Sequence, residues 1–370
     1  MRIQLIDPSA FTPPYDRALA RALAAAGEDV ELITSRFLYG PVPEPHGYRV
    51  DESLYGRSAR RGLDAKGRRI FKFAEHLADM RRLRRMIDAD VAHYQWLTMP
   101  NLDRRILPPQ RPRVLTAHYI LPPEPTGRQR EQANRVFGSM DAVVAHSESG
   151  ARRLRREVGL PQDKVHVIPH GSFDYLLDQP GEAPLPPELE GAEAPVILFF
   201  GLMRPYKGID ILLDAFSRVE GAELWIVGNP RMDITGLEAK AAQAGGRVRW
   251  LPRFITDREI PAIMRAADLL VLPYRDGEQS GVLYTGLAFE KPMVISDVGG
   301  LGEVAREHDV ARLVEPGDAE GLAVALNEVV GDEAARDRLV AKARDAARGP
   351  FAWDSIAART IDLYRELVSR

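Results

Sequence analysis

Arg204 and Lys207 stand in the run Gly201-Leu202-Met203-Arg204-Pro205-Tyr206-Lys207-Gly208. Two cations in a glycine-bounded loop suit a diphosphate, because guanidinium and ammonium groups donate charge-assisted hydrogen bonds to phosphate oxygens. Solvated surface cations in a connecting loop are the alternative. A second anion-receptive stretch is Ser280-Gly281-Val282, where Ser280 reads as an N-cap and Gly281 lets a ligand approach the first free amides of a helix. His118 is a third candidate, with His146 and His170 in similar settings. Trp96 offers either a flat face for a sugar ring or a core side chain.

The elements that must position these residues follow from hydrophobic periodicity. Val196 to Phe200 is a continuous apolar run that leads into the Arg204 loop, and Ile209, Leu212, Leu213 and Phe216 then recur at helical spacing. Asp268 to Leu272 is a second apolar strand that leads into the Ser280 loop. Both loops therefore lie at carboxyl ends of strands, where open α/β sheets bind ligands, and they converge if the strands share one sheet. Strands are expected near 2–6, 29–33, 90–94, 113–117, 141–145 and 165–168, then near 196–200, 222–228, 247–251, 268–272, 292–296 and 312–314, with helical patterns between most of them. That alternation predicts two parallel, doubly wound sheets. Residues 1–175 form the first expected domain, 176–194 a proline-rich linker, 195–350 the second domain, and 351–370 a terminal helix that packs on either domain or bridges both.

Composition limits the rest. The chain of 370 residues carries a net charge of −3 and no cysteine, which excludes disulfides, thiolate nucleophiles and Cys-ligated zinc, and gives no reason to expect nucleic-acid binding. Met1 opens directly onto a strand-like run, and no apolar stretch long enough to span a membrane follows, so a cytoplasmic protein is expected. Residues 57–85 are strongly basic, with Phe71, Phe73 and Leu77 among the cations. They form either a solvated helix face or a peripheral contact with the inner face of an anionic membrane.

The runs GLMRPYKGID, QSGVLYTGLAFEKPMVISDVGG and FAWDSIAARTIDLYREL, together with LTAHYILPPE, VIPHG and HYQWLTMPNLD, resemble the family 4 glycosyltransferases over most of the chain. The resemblance implies the GT-B fold, two Rossmann-like domains facing one another across a cleft. It also implies a sugar transfer that retains anomeric configuration, from a nucleotide-diphosphate sugar such as a UDP- or GDP-sugar to a glycan or lipid-linked acceptor, with no metal or other cofactor. Carried over residue by residue, it assigns the donor diphosphate to Arg204, Lys207 and the amides of Gly281 and Val282, beside Ser280, and places His118 against the transferred sugar. The family's glutamate pair falls on Gly277 and Thr285, with Glu278 one place off; Thr285 thus stands where a ribose-binding glutamate is usual, and Glu278 is the carboxylate left to reach the sugar. Phe254, in the loop Pro252-Arg253-Phe254-Ile255, is the expected wall for the nucleotide base, and Asp7, Tyr15 and Asp16 are expected acceptor contacts.

Three rival readings remain. A nicotinamide or flavin oxidoreductase would place Gly-x-Gly-x-x-Gly after a strand, and none does so here. A sugar-nucleotide 2-epimerase would share the diphosphate site and turn over donor without acceptor. A non-catalytic sugar-nucleotide binder would be consistent with Thr285 in place of glutamate.

Overall fold

The computed structural model describes all residues except 39, 58–64, 110–111, 123, 179–180 and 244–246, and of 65–74 only the helical backbone. It divides into two compact units, Met1–His170 with Trp353–Arg370, and Gly171–Ala352.

The first unit is built from the strands β1 (Arg2–Asp7), β2 (Asp29–Ser35), β3 (Arg49–Leu54), β4 (Val91–Tyr94), β5 (Arg113–Thr116), β6 (Ala142–Ala145) and β7 (Val165–Val167). Its helices are α1 (Pro13–Ala25), α2 (Ala65–Met86), α3 (Pro100–Ile106), α4 (Gly127–Phe137) and α5 (Glu148–Arg156). All seven strands pair in parallel, in the order β3-β2-β1-β4-β5-β6-β7. Buried side chains line both faces: Ile6, Tyr94, Leu115 and Val143 on one, Ile3, Leu5, Leu32 and Val144 on the other. Two-sided burial explains why these strands read as unbroken apolar runs. The strand β3 has no such signature in the sequence; it is an edge strand whose charged, half-exposed residues carry no apolar run.

The second unit contains β8 (Val196–Phe200), β9 (Glu223–Val227), β10 (Val248–Leu251), β11 (Leu269–Leu272), β12 (Met293–Ser296) and β13 (Arg312–Val314). Its helices are α6 (Ile209–Phe216), α7 (Thr235–Ala242), α8 (Ile260–Ala266), α9 (Gly281–Ala288), α10 (Gly299–His308), α11 (Ala319–Gly331) and α12 (Glu333–Arg348). The strand order is β10-β9-β8-β11-β12-β13, again wholly parallel. Residues 176–194 lie within this unit. Leu176 and Leu189 are in its core, and the carbonyls of Glu190 and Gly191 accept from Arg249.

The final helix α13 (Trp353–Ser369) belongs to the first unit, where it packs on α1. Ile356, Ala357, Ile361, Tyr364 and Leu367 form its buried stripe, as their spacing predicts. On the basic helix α2, Met80 and Leu83 are buried and Leu77 is exposed, whereas Phe71 and Phe73 lie outside the described side chains. No helix among the described residues is long and apolar enough to cross a membrane.

Candidate functional site

Strand order in each sheet reverses at one point, between β1 and β4 in the first unit and between β8 and β11 in the second. Loops leaving such a switch point diverge to opposite faces of the sheet and open a crevice at the carboxyl ends of the strands. In the second unit these are the Arg204 loop after β8 and the Ser280 loop after β11. They are joined side chain to side chain. Lys207 Nζ donates to the Tyr274 hydroxyl oxygen at 2.6 Å and lies 4.0 Å from the Tyr274 ring centroid. The Tyr274 hydroxyl, having accepted from an ammonium that cannot accept in return, donates to Ser280 Oγ at 3.1 Å. Arg275 fastens the same loops: its amide donates to the Tyr206 carbonyl at 2.8 Å, and its guanidinium donates to the Pro205 carbonyl and the Asp210 carboxylate.

Electrostatics follow from this packing. Burial pushes the Lys207 ammonium down to about 8, the nearby Arg204 charge adds to that, and Tyr206 opposes it. Burial also drives the Tyr274 hydroxyl upward, so it stays protonated and available as a donor. Arg204 is exposed, and its guanidinium makes no hydrogen bond or ion pair with a described residue.

Ser280 occupies the N-cap position of α9 but does not cap it, because its hydroxyl faces Tyr274 instead of accepting from a helix amide. The expected serine cap is therefore corrected: the amides of Gly281 and Val282 have no acceptor among the described residues, and Gly281 is exposed. A side chain at 281 would meet the Phe173 ring, since a Cβ there would lie 3.0 Å from Phe173 Cε2. Thr285 is buried, with Oγ1 donating to the Gly281 carbonyl at 2.9 Å, so its hydroxyl is directed into its own helix. Glu278 is half buried, its backbone packed on Gly299 at the start of α10. Phe254 is 50% exposed after β10, beside an Arg253–Glu259 ion pair.

In the first unit, His118, His146 and His170 leave the ends of β5, β6 and β7 and gather around the buried ring of Tyr15, with centroid distances of 4.9, 5.4 and 4.8 Å. A definite proton order follows from their contacts. His146 Nδ1 lies 3.0 Å from the Ile168 carbonyl, which only accepts, so Nδ1 carries the proton and Nε2 is left as acceptor. His118 Nδ1 donates to that Nε2 at 3.3 Å, leaving the His118 Nε2 lone pair 3.2 Å from the Gln95 side-chain amide. A consistent chain puts the Gln95 nitrogen on His118, an assignment made from the network. The chain requires neutral rings, and burial supplies them, holding His146 down at about 4 and His118 well below the usual imidazole range. Trp96 stacks on His118 at 5.3 Å and 13°, and its Nε1 donates to Thr12 Oγ1 at 3.0 Å, which places this ring against the histidine cluster.

Asp7 and Asp16 are fully buried at the same edge. Asp7 accepts from the amides of Ser9, Phe11 and Thr12. Burial raises both carboxyls, and the Asp7 charge raises Asp16 further. A network that sequence reasoning missed runs from the Tyr55 hydroxyl to His76 Nδ1 at 2.7 Å and from His76 Nε2 to Asp103 at 2.6 Å, tying β3 and α2 to α3. No local pattern announces it, because its members are more than twenty positions apart. The Asp-x-Asp triplet in the chain, Asp88-Ala89-Asp90, precedes β4 at the amino-terminal edge of the sheet, where both carboxylates engage Arg2.

Two doubly wound parallel sheets in succession, each reversing its strand order at one point, define the GT-B class of protein. The chain belongs to the family 4 glycosyltransferases: residues 17–172 match the family described as Glycosyltransferase Family 4, and residues 194–332 match Glycosyl transferases group 1. It is 32% identical over 260 residues to a D-inositol 3-phosphate glycosyltransferase of Xylanimonas cellulosilytica, a match covering 67% of this chain and 62% of that relative, so it spans under two thirds of the relative's length. A phosphatidyl-myo-inositol mannosyltransferase of Mycobacterium leprae is 29% identical, with 100% of this chain and 98% of the relative covered. Among solved structures, a sucrose-phosphate synthase from Thermosynechococcus elongatus has a TM-score of 0.77 at 20% identity, covering 100% and 99% of the two chains. An Anabaena protein in complex with UDP-glucose has a TM-score of 0.71 at 19% identity, covering 99% and 100%. At such identities the structural matches establish the fold alone.

Proposed function

We propose that the protein is a retaining, metal-independent glycosyltransferase that moves a sugar from a nucleotide-diphosphate sugar to a glycan or lipid-linked acceptor. One observation carries the reading. At the switch point of the second sheet, the Lys207–Tyr274–Ser280 chain holds two loops together while the Arg204 guanidinium and the amides of Gly281 and Val282 keep their donors uncommitted. Cleavage of a glycosyl phosphate bond builds negative charge on the departing diphosphate, and fixed donors aimed at that charge are the largest electrostatic aid to such a step. Arg204 and Lys207 supply the charge a divalent cation would otherwise provide. The first relatives' names, which describe transfer to inositol-containing acceptors, support the transfer class.

The test is turnover of a panel of UDP-, GDP-, ADP- and TDP-sugars in the presence of a chelator, with and without acceptor glycans. Transfer or slow donor hydrolysis with one nucleotide supports the proposal. Epimerised donor without acceptor would replace it with the 2-epimerase reading, and binding without turnover with the non-catalytic one.

Lys207 adds a pH signature. Its free value of about 8 means that the ammonium form, which alone holds the diphosphate, is depleted above that pH. Affinity for UDP or GDP is expected to be flat below pH 8 and to fall roughly tenfold per pH unit beyond it, with about half a proton taken up per binding event at pH 8. Calorimetry in buffers of different ionisation enthalpy reads both quantities; flat affinity from pH 7 to 10 would remove Lys207 from the diphosphate site. In the ligand-free protein the sign reverses. Between about pH 8 and 10.5 the native state holds fewer protons than the unfolded chain, so stability rises with pH across that window.

A further inference from the structure

A cavity of about 320 Å³ opens in the first unit between the ends of β4 and β5 and helix α4. Its walls are mostly apolar, with Trp96, Leu115, Ile120, Leu121, Val136 and Phe137 among them. None of its 17 lining residues is Asp, Glu, Lys or Arg. His118 and Gln95, the end of the histidine chain, form part of the same lining, so a molecule seated here touches the histidine that the glycosyl-transfer reading sets against the sugar.

We infer that this cavity takes the uncharged, apolar aglycone of the acceptor, an alkyl or aryl group whose attached hydroxyl lies at His118. The inference rests on the glycosyl-transfer reading and names the acceptor's class. The cavity's volume is within the range of small-molecule pockets, roughly 300–1,000 Å³. A phosphate would lose its hydration here without gaining a cation, and burying an unpaired charge is strongly unfavourable. The site therefore differs in chemistry from what the relatives' names describe, since those acceptors carry an inositol phosphate. An apolar group instead gains by leaving water for the faces of Trp96 and Phe137.

The test is titration of the full chain, followed by two-dimensional NMR of the tryptophan indoles. The probes are octyl β-D-glucopyranoside below its micelle concentration, phenyl β-D-glucopyranoside, glucose and inorganic phosphate. The expected result is a saturable shift of the Trp96 signal with at least one of the two glucosides and at least tenfold weaker binding of glucose and phosphate. Octyl preference identifies a lipid-like aglycone and phenyl preference a soluble aromatic one. Filling the cavity by Ala133→Phe or Val136→Trp should weaken glucoside binding tenfold or more, with thermal melts to check the fold; the wild-type titration stands if either variant fails to fold. No saturable shift with either glucoside, equal binding of glucose or phosphate, or undiminished binding in a folded, filled variant would overturn the inference. Donor turnover in the nucleotide-sugar panel together with any of those results would remove the apolar aglycone and leave the transfer reading intact.

Discussion

Arg204→Ala is expected to lower turnover of the nucleotide-sugar by roughly two to three orders of magnitude, the loss typical when one donor to a developing negative charge is removed. The expectation is sharp because Arg204 has no other task in the fold. Its guanidinium is exposed and bonded to no described residue, so the substitution should change stability by no more than about 0.5 kcal/mol, as for ordinary surface positions. Lys207→Ala would be a poorer probe, since it also removes the donor to Tyr274 and empties a buried position. Arg204→Lys keeps the charge but loses the planar fork, and should recover part of the rate. The measurement is kcat/KM beside a thermal melt; full turnover in a stably folded Arg204→Ala protein would remove Arg204 from the leaving-group site.

What the sequence discloses here depends on how local the cause is. Strands buried on both faces announce themselves as apolar runs, and the loops after β8 and β11 follow from those runs. The pairing of those loops is a consequence of parallel topology, in which β8 and β11 become neighbours despite the intervening helices. Side-chain direction is less legible. Ser280 has the residue type and place of a helix cap, yet the Tyr274 hydroxyl lies 3.1 Å away and its Oγ turns there, while the Thr285 hydroxyl bonds back to the Gly281 carbonyl. Either choice satisfies the hydroxyl, and only the three-dimensional neighbours decide between them. Residues 176–194 show the same limit from the other side: prolines mark an irregular path, but the burial of Leu176 and Leu189 against the second sheet leaves no periodic trace. Histidines at the ends of three successive strands could be counted from the sequence, whereas their common centre, Tyr15, comes from a helix more than a hundred residues earlier.

Gly208→Ala is expected to disrupt the second unit and its diphosphate site together, because Gly208 packs against the backbone of the loop after β11 with no room for a side chain. Its φ of +70° belongs to the left-handed region, which alone disfavours alanine by about 1 kcal/mol. Steric overlap costs more. A Cβ on residue 208 would lie 1.9 Å from the Pro273 carbonyl oxygen and 3.0 Å from its carbon, both backbone atoms of the loop that follows β11. No rotamer change relieves such an overlap, so the Arg204 loop must move away from the Tyr274 loop or the unit must absorb the strain. A loss of roughly 2–4 kcal/mol in urea unfolding is expected if the loops stay together, in line with substitutions that combine strain with overpacking. If the loops part, stability is partly recovered, but the Lys207–Tyr274–Ser280 chain breaks and UDP or GDP binding weakens instead. Gly236→Ala is the matched control, since Gly236 lies in α7 with nothing within 4 Å of where an alanine Cβ would sit, and alanine there should be neutral or stabilising by up to about 1 kcal/mol. Wild-type unfolding and wild-type diphosphate affinity in Gly208→Ala would mean that the two loops do not depend on each other, and the shared crevice for Arg204, Lys207 and Gly281 would fall with that dependence.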